Sequence, residues 1–297
     1  MTKPIWRSNA LLFLAAAIWG FAFVAQRAGM EHVGPFTFNA VRFALGGMVL
    51  IPLLLRRSKR QDMQGSAPPS VSGRTVLLGG GLAGLALFLG ASLQQMGIVH
   101  TTAGKAGFIT GLYVIIVPIL GLFWRKRSGL GTWLGAMLAT VGLYFLSIGE
   151  KLAISTGDLL VLLGAFVWAG HVHIIGKFSP RIDSIKLAFV QFMVCSAFSL
   201  ITAAFAEKIT MPGLHGAAIP ILYAGLMSSG VAYTLQVVAQ RRVLPAHAAI
   251  ILSLEAVFAV VGGWLMLEEM LTSRELLGCV LMLGGMFVSQ LGMGSDE

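Results

Sequence analysis

Glu255 and Arg42 are the residues of this chain with the most to explain. Each is ionisable and lies inside a long apolar run, where an unpaired charge costs at least a few kcal/mol. Glu255 is suited to hold the amino group of a solute or to carry a coupling proton; otherwise it is a helix–helix hydrogen-bond anchor. Arg42 is suited to a solute carboxylate; otherwise it pairs with Glu255 or backbone carbonyls, or snorkels toward the interface. Trp19 and Trp168 fall near the middle of their runs, although membrane tryptophans usually sit at interfaces. As cavity walls they would stack on an aromatic or cationic solute; as packing they would only fill space. Trp19, Phe23 and Gln26 share one helical face at i, i+4 and i+7, and Trp168 shares one with His171 at i, i+3. Gln94, Tyr113, Tyr233 and Gln236 add polar groups to apolar runs. Tyr233, Gln236 and Gln240 form a stripe suited to a wet wall or to bonds between helices.

Other chemistries find less support. His171 and His173 are two apart, point in different directions on a helix and have no third ligand nearby, so no metal site is expected. Cys195 and Cys279 lie in apolar runs and read as small packing residues. The chain has no GxxxxGK[ST] loop, so direct use of ATP is not expected, and no serine–histidine–acid or metalloprotease pattern stands out. Neither an enzyme nor a cofactor is expected.

The elements that must hold these groups follow from composition. Of 297 residues 57% are hydrophobic and 11% charged, against about 25% charged in soluble domains. The bilayer must therefore be the solvent. Ten spans of roughly 20 residues are readable, at 9–29, 35–55, 76–99, 104–124, 131–148, 157–176, 187–206, 218–240, 246–267 and 274–292. They leave no room for a soluble domain. Lys3 and Arg7 before Ala15, Ala16 and Ala17 resemble the start of a signal peptide, but the run continues through Trp19 to Val24, so retention is expected. Pro118 is expected to interrupt the fourth span and Pro52 to bend the second. Gly80 and Gly84, Gly107 and Gly111, and Gly131 and Gly135 have close-packing spacing.

The net charge of +9 does not signal nucleic acid, because the basic residues sit in short clusters between apolar runs, as topology signals do. With the N-terminus inside, 15 of the 21 Lys and Arg residues fall in inner loops and five at outer loops or span edges. Both termini are thus expected in the cytoplasm. Residues 56–74, rich in Gly, Ser and Pro, read as a flexible cytoplasmic linker.

Five spans precede Glu150 and five follow it, so the halves 1–149 and 150–297 must insert in opposite orientations. Residue matching supports a repeat. At an offset of 149, Trp19 meets Trp168 and Arg42 meets Gln191; at 142, Gln94 meets Gln236; at 143, Ala103 meets Ala246, Thr110 meets Ser253, Gly135 meets Gly278 and Gly142 meets Gly285. Inverted repeats around a central site are the usual construction of a secondary transporter.

Tyr233-Thr234-Leu235, Pro245-Ala246-His247-Ala248-Ala249, Leu254-Glu255-Ala256-Val257-Phe258, Leu267-Glu268-Glu269, Gly278 and Gly284-Gly285 resemble the EamA type of the drug/metabolite transporter superfamily. In the first half Ile18-Trp19-Gly20 and Val41-Arg42-Phe43 resemble it too. The likeness covers nearly the whole chain and is specific for fold rather than substrate. Ala256 departs from it, since such sequences often have proline after the glutamate, and this puts a helix break there in question. The resemblance implies an all-α membrane protein, ten helices in two inverted five-helix repeats around a central cavity, that commonly exports amino acids or other metabolites. The expectation is an alternating-access exporter of small amphipathic metabolites, most of all amino acids, aromatic ones included, in an inner membrane. Its partners would be the small solute, the bilayer and a coupling proton; the sequence leaves oligomeric state open. Trp19, Phe23, Gln26, Arg42, Gln94, Tyr113, Trp168, His171, Tyr233, Gln236 and Glu255 would line its cavity. The rival is an exporter of drugs or quaternary ammonium cations, in which Glu255 neutralises the cation and the tryptophans stack on it.

Overall fold

The computed structural model describes residues 5–64, 71–101, 103–123, 128–147, 155–267 and 272–292. All elements in them are helical: α1 (Ile5–Gly29), α2 (Pro35–Gln64), α3 (Gly73–Ile98), α4 (Ala103–Gly111), α5 (Tyr113–Phe123) and α6 (Leu130–Ser147) come from the first half. The second half supplies α7 (Thr156–Phe178), α8 (Ser184–Ala206), α9 (Met211–Gly216), α10 (Ala218–Leu222), a π-helical segment (Tyr223–Tyr233), α11 (Thr234–Ala239), α12 (Pro245–Leu252), α13 (Glu255–Leu267) and α14 (Ser273–Gly292). Nine membrane-length apolar spans occur among the described residues, and α6 supplies a shorter tenth through Leu130–Phe145. The ten expected spans are therefore present. In lipid only helices satisfy the backbone of an isolated span internally, so such runs have no other way to fold.

Two expectations need correction. The linker does not begin at Arg56: α2 continues to Gln64, because Arg, Lys, Gln and Met all favour helix; residues 65–70 lie outside the described residues. Lys3, Arg125, Lys126, Arg127 and Lys151, which carry part of the orientation signal, also lie outside them, as do Glu268 and Glu269. The fourth span breaks at Leu112 rather than at Pro118, which sits inside α5. Gly111, a weak helix former, gives the chain its exit before the proline is reached. In the ninth span the break forms without a proline. Ser253 and Leu254 make a turn in which Leu254 N donates to Ile251 O at 3.2 Å, Ala256 N to Ser253 O at 3.1 Å and Ser253 Oγ to Ile250 O at 2.9 Å. These tight i→i−3 bonds do locally what a proline would do by exclusion. The two breaks fall at repeat-equivalent positions, since Thr110 pairs with Ser253 at the offset of 143.

Glycines set the closest helix contacts. A Cβ at Gly135 would stand 2.6 Å from Gly285 O, and one at Gly142 would stand 2.7 Å from Gly278 O and 2.9 Å from Met282 N. Helices α6 and α14, the last of each repeat, thus meet backbone to backbone, and no flexible side chain can give way. Gly142→Leu is expected to destabilise this pair by about 1–3 kcal/mol or more, measured as a lower thermal unfolding midpoint in detergent; an unchanged midpoint would contradict the packing.

Polar ties fix the ends of the bundle. At one end Glu207, closing α8, accepts from Phe36 N and Thr37 N at 2.8 Å and from Thr37 Oγ1 at 2.6 Å, capping the start of α2. At the other, Asp183 accepts from Ile185 N and Lys186 N to cap α8 and pairs with Arg57 of α2. Helices α2 and α8 are thereby latched to each other at both ends. Asp158 begins α7 with a capping box to Ser155. Its carboxylate also accepts from Thr101 Oγ1 at 2.7 Å and pairs with Lys105 Nζ at 2.7 Å. Next to it Arg27 Nη1 donates to Ile98 O at 2.6 Å and Val99 O at 2.9 Å. The Asp158 end thus joins α1, α3, α4 and α7.

Candidate functional site

The two helix breaks, the π-helical segment, the middle parts of α1 and α7, the N-terminal part of α2 and the C-terminal part of α3 line one cavity. All eleven candidate residues line it: Trp19, Phe23, Gln26, Arg42, Gln94, Tyr113, Trp168, His171, Tyr233, Gln236 and Glu255. Thr110, Val172, Ser228 and Leu252 also line it. Thr110 was within reach of the sequence, as the repeat partner of Ser253. Ser228 was not, because no residue pattern announces a π-helical turn.

Tyr233 is the aromatic centre. Its ring lies 4.6 Å from that of Trp19, 6.1 Å from Trp168 in a stacked arrangement, 6.1 Å from His171, 6.0 Å from Phe43 and 6.2 Å from Phe192. Both indole N–H groups are bonded within the protein. Trp19 Nε1 donates to Ser228 O at 3.2 Å, a carbonyl of the π-helical segment, and Trp168 Nε1 donates to Gln94 Oε1 at 2.9 Å. Gln94 Nε2 donates on to Gln26 Oε1 at 3.1 Å, and Gln26 Nε2 to Ala22 O at 3.2 Å. This chain fixes the indole planes across the two repeats, as buried polar networks do when their members are satisfied. Gly90 makes room for Trp168, since a Cβ there would stand 3.1 Å from the indole.

The histidines divide as their spacing requires. His171 lines the cavity and is hydrogen-bonded to Gln191 Oε1 at 3.0 Å, whereas His173 Nε2 donates to Val117 O of α5 at 2.8 Å. Among the described residues no cluster of three His, Cys, Asp or Glu side chains could hold a metal ion. The wet stripe is shorter than expected. Tyr233 and Gln236 line the cavity, but Gln240 donates to Val172 O at 3.1 Å and is taken up in packing α11 on α7.

Arg42 does not snorkel. It is 2% exposed, lines the cavity and lies 4.6 Å from the ring centre of Phe43 and 5.6 Å from that of Phe38. Such cation–π contacts hold a guanidinium in place of water. Its Nε has no hydrogen-bond partner. Glu255 is 5% exposed, opens α13 at the break and leaves Oε1 without a partner. The pairing of Arg42 with Glu255 is not made: Arg42 lies over Phe43 and Phe38, and neither its Nε nor Glu255 Oε1 has a partner. The cavity therefore presents a cation and a carboxyl, both buried, that do not neutralise each other.

A ten-span bundle with a central cavity at broken helices, lined by a buried guanidinium and a buried carboxyl, is a carrier's geometry, and the comparisons agree. The EamA-like transporter family matches residues 6–148 and again 155–290. The chain belongs to the EamA-like transporter family. This EamA-like transporter is 32% identical over 285 residues to an uncharacterized transporter of Archaeoglobus fulgidus, covering 94% of this chain and 84% of the relative. It is 24% identical to the uncharacterized transporter YoaV of Bacillus subtilis, with 92% of each chain covered. To the uncharacterized inner membrane transporter YedA of Escherichia coli it is 26% identical, over 95% of this chain and 90% of that one. A solved crystal structure superposes with a TM-score of 0.77 at 16% identity, covering 98% of this chain and 99% of the other, which supports the fold alone. The EamA-like transporter is a multi-pass membrane protein whose family role is solute transport rather than catalysis.

Proposed function

We propose that this EamA-like transporter exports small amphipathic metabolites, above all amino acids with aromatic or other apolar side chains, from the cytoplasm by alternating access. The observation that carries the reading is a buried guanidinium and a buried carboxyl, Arg42 and Glu255, that do not pair with each other in one cavity walled by Trp19, Trp168 and Tyr233. A zwitterion supplies a carboxylate for the first and an ammonium for the second, and its side chain takes the aromatic wall. Buried polar groups left unpaired are expensive, so a solute that satisfies both ends is preferred over one that satisfies neither. Gln26, Gln94, His171 and Gln236 would hold the polar end, with Phe23 closing the apolar side. The excess of Lys and Arg in alternate loops supports cytoplasmic termini and puts the Asp158 end on the outer face. The printed name of YedA supports an inner membrane. The halves 1–149 and 150–297 would be the two bodies that rock about the site.

Glu255 also supports proton coupling. A carboxyl that has lost its water and gained no cation is one whose charge must come and go with its ligand. The test is release of labelled phenylalanine and leucine from proteoliposomes holding the purified chain, with and without a pH gradient. Saturable release that steepens with the gradient is expected. No saturable release of any amino acid, alongside release of a cationic dye, would replace this reading with drug export.

A further inference from the structure

Three buried side-chain oxygens beside the two helix breaks belong to residues that line the cavity. Thr110 Oγ1 stands at the end of α4, Tyr113 Oη opens α5 and Glu255 Oε1 opens α13. The three residues are 3%, 4% and 5% exposed, all line the cavity, and none of these three atoms has a hydrogen-bond partner. The Tyr113 hydroxyl nevertheless lies close enough to the Glu255 carboxyl to share a proton with it, and the lone pairs of Tyr113 Oη stay free to accept. A threonine within a helix usually satisfies its hydroxyl on a carbonyl one turn back, as Thr140 does on Ala136 O at 2.7 Å. Thr110 does not, because its side chain turns to the cavity beside the break. Among the described residues Glu255 makes no ion pair, and the charge of Arg42 lies over Phe43 and Phe38.

We propose that Thr110, Tyr113 and Glu255 form a receptor for a primary ammonium group, and that this receptor selects primary amines over methylated ones. An –NH3+ group carries three N–H donors and no acceptor, which matches three buried oxygens with accepting capacity to spare, one of them on a carboxyl. A trimethylammonium group has the same charge and no donor. It would neutralise Glu255 and offer no donor to the buried hydroxyl oxygens of Thr110 and Tyr113. The aromatic wall attracts both cations alike, so the hydroxyls make the difference. The inference rests on the reading of the central cavity as the solute site and sharpens it: the ammonium end is recognised by three named oxygens, independently of what the rest of the solute is.

The test is binding rather than flux, so that its failure is separate from failure of amino-acid export. Quenching of the cavity tryptophans is titrated in the purified full chain, in potassium buffer, with phenethylamine and with its N,N,N-trimethyl analogue. At least tenfold tighter binding of the primary amine is expected. Tyr113→Phe and Thr110→Val should each narrow that preference, chiefly by weakening the primary amine, while the trimethyl analogue binds as before. Equal or tighter binding of the trimethyl analogue overturns the proposal, as does the absence of binding by either amine. Displacement of phenethylamine by sodium at equal concentration would also overturn it, by assigning the oxygens to an alkali cation. Binding of phenethylamine with no amino-acid release in vesicles would uphold this receptor and remove the export reading.

Discussion

Glu255→Gln is expected to lower solute release at least thirtyfold and to abolish its dependence on the pH gradient. Gln fills nearly the same volume and keeps one carbonyl oxygen, so the packing of α13 is preserved. What is lost is the charge. Truncating one partner of a buried charged contact costs about 2–5 kcal/mol, and each 1.4 kcal/mol is tenfold, so thirtyfold is near the lower bound. Stability should move the other way. A buried carboxyl with an unpartnered oxygen strains the empty protein, and a neutral isostere removes that strain. The thermal midpoint of the variant in detergent should therefore equal or exceed that of the parent. Unchanged release would take Glu255 out of the transport mechanism, and a collapse of the midpoint would turn it into a structural anchor.

Asp158→Ala is expected to open the cavity from the outer face. Asp158 binds Lys105 of the first half, Thr101 at the end of α3 and the Ser155 cap of its own helix, and Gly97 and Gly157 touch nearby. The repeat offsets place Asn9 and Ala248 at the equivalent positions on the opposite face. Neither can form an ion pair, and Asn9 Oδ1 is buried without a partner. The Lys105–Asp158 pair thus has no ionic counterpart at the repeat-equivalent positions, and among the described residues the ion pair that ties the halves together on that face is Arg57–Asp183, between α2 and α8. Breaking a buried pair costs about 3–5 kcal/mol. Lys105 is 21% exposed, so the lower end applies, equivalent to roughly a hundredfold shift toward the outward-open state. A cysteine at Ser228, in a chain with Cys195 and Cys279 replaced by Ala, reports this through its reaction with an impermeant thiol reagent from outside. Faster labelling after Asp158→Ala is expected, with recovery of the slow rate on exchanging Lys105 and Asp158 for each other. Equal rates in all three would show that the pair holds nothing shut.

The fold was legible because each of its signals is a length or a period. Ten apolar runs, an odd number per half and a repeated tryptophan led to the bundle without any knowledge of contacts. The cavity was legible for a related reason. Polar and aromatic groups at mid-depth in a membrane have few places to go, and a shared face or a repeat match selects the same place for them. What stayed hidden depends on pairing in space. Nothing in the run around Gln240 says that it spends its amide on Val172 O, while Gln236, four residues earlier, keeps an oxygen free beside the cavity. The break at Leu112 was hidden behind Pro118, because proline is the more familiar breaker and the glycine before the turn is one of 37. Thr110 was passed over because a hydroxyl in a helix is presumed to bond to its own backbone.

The glycine contact between α6 and α14 also bears on how the protein is made. The small-residue face of α6 around Gly135 and Gly142 finds its mate in Gly278 and Gly285, which leave the ribosome only after α7 to α13 have been synthesised. Until then α6 waits in the bilayer with its closest-fitting surface covered by lipid or by a helix that must later withdraw. The first half therefore cannot reach its final packing while it is the only half present, and the seating of α6 waits on the arrival of α14.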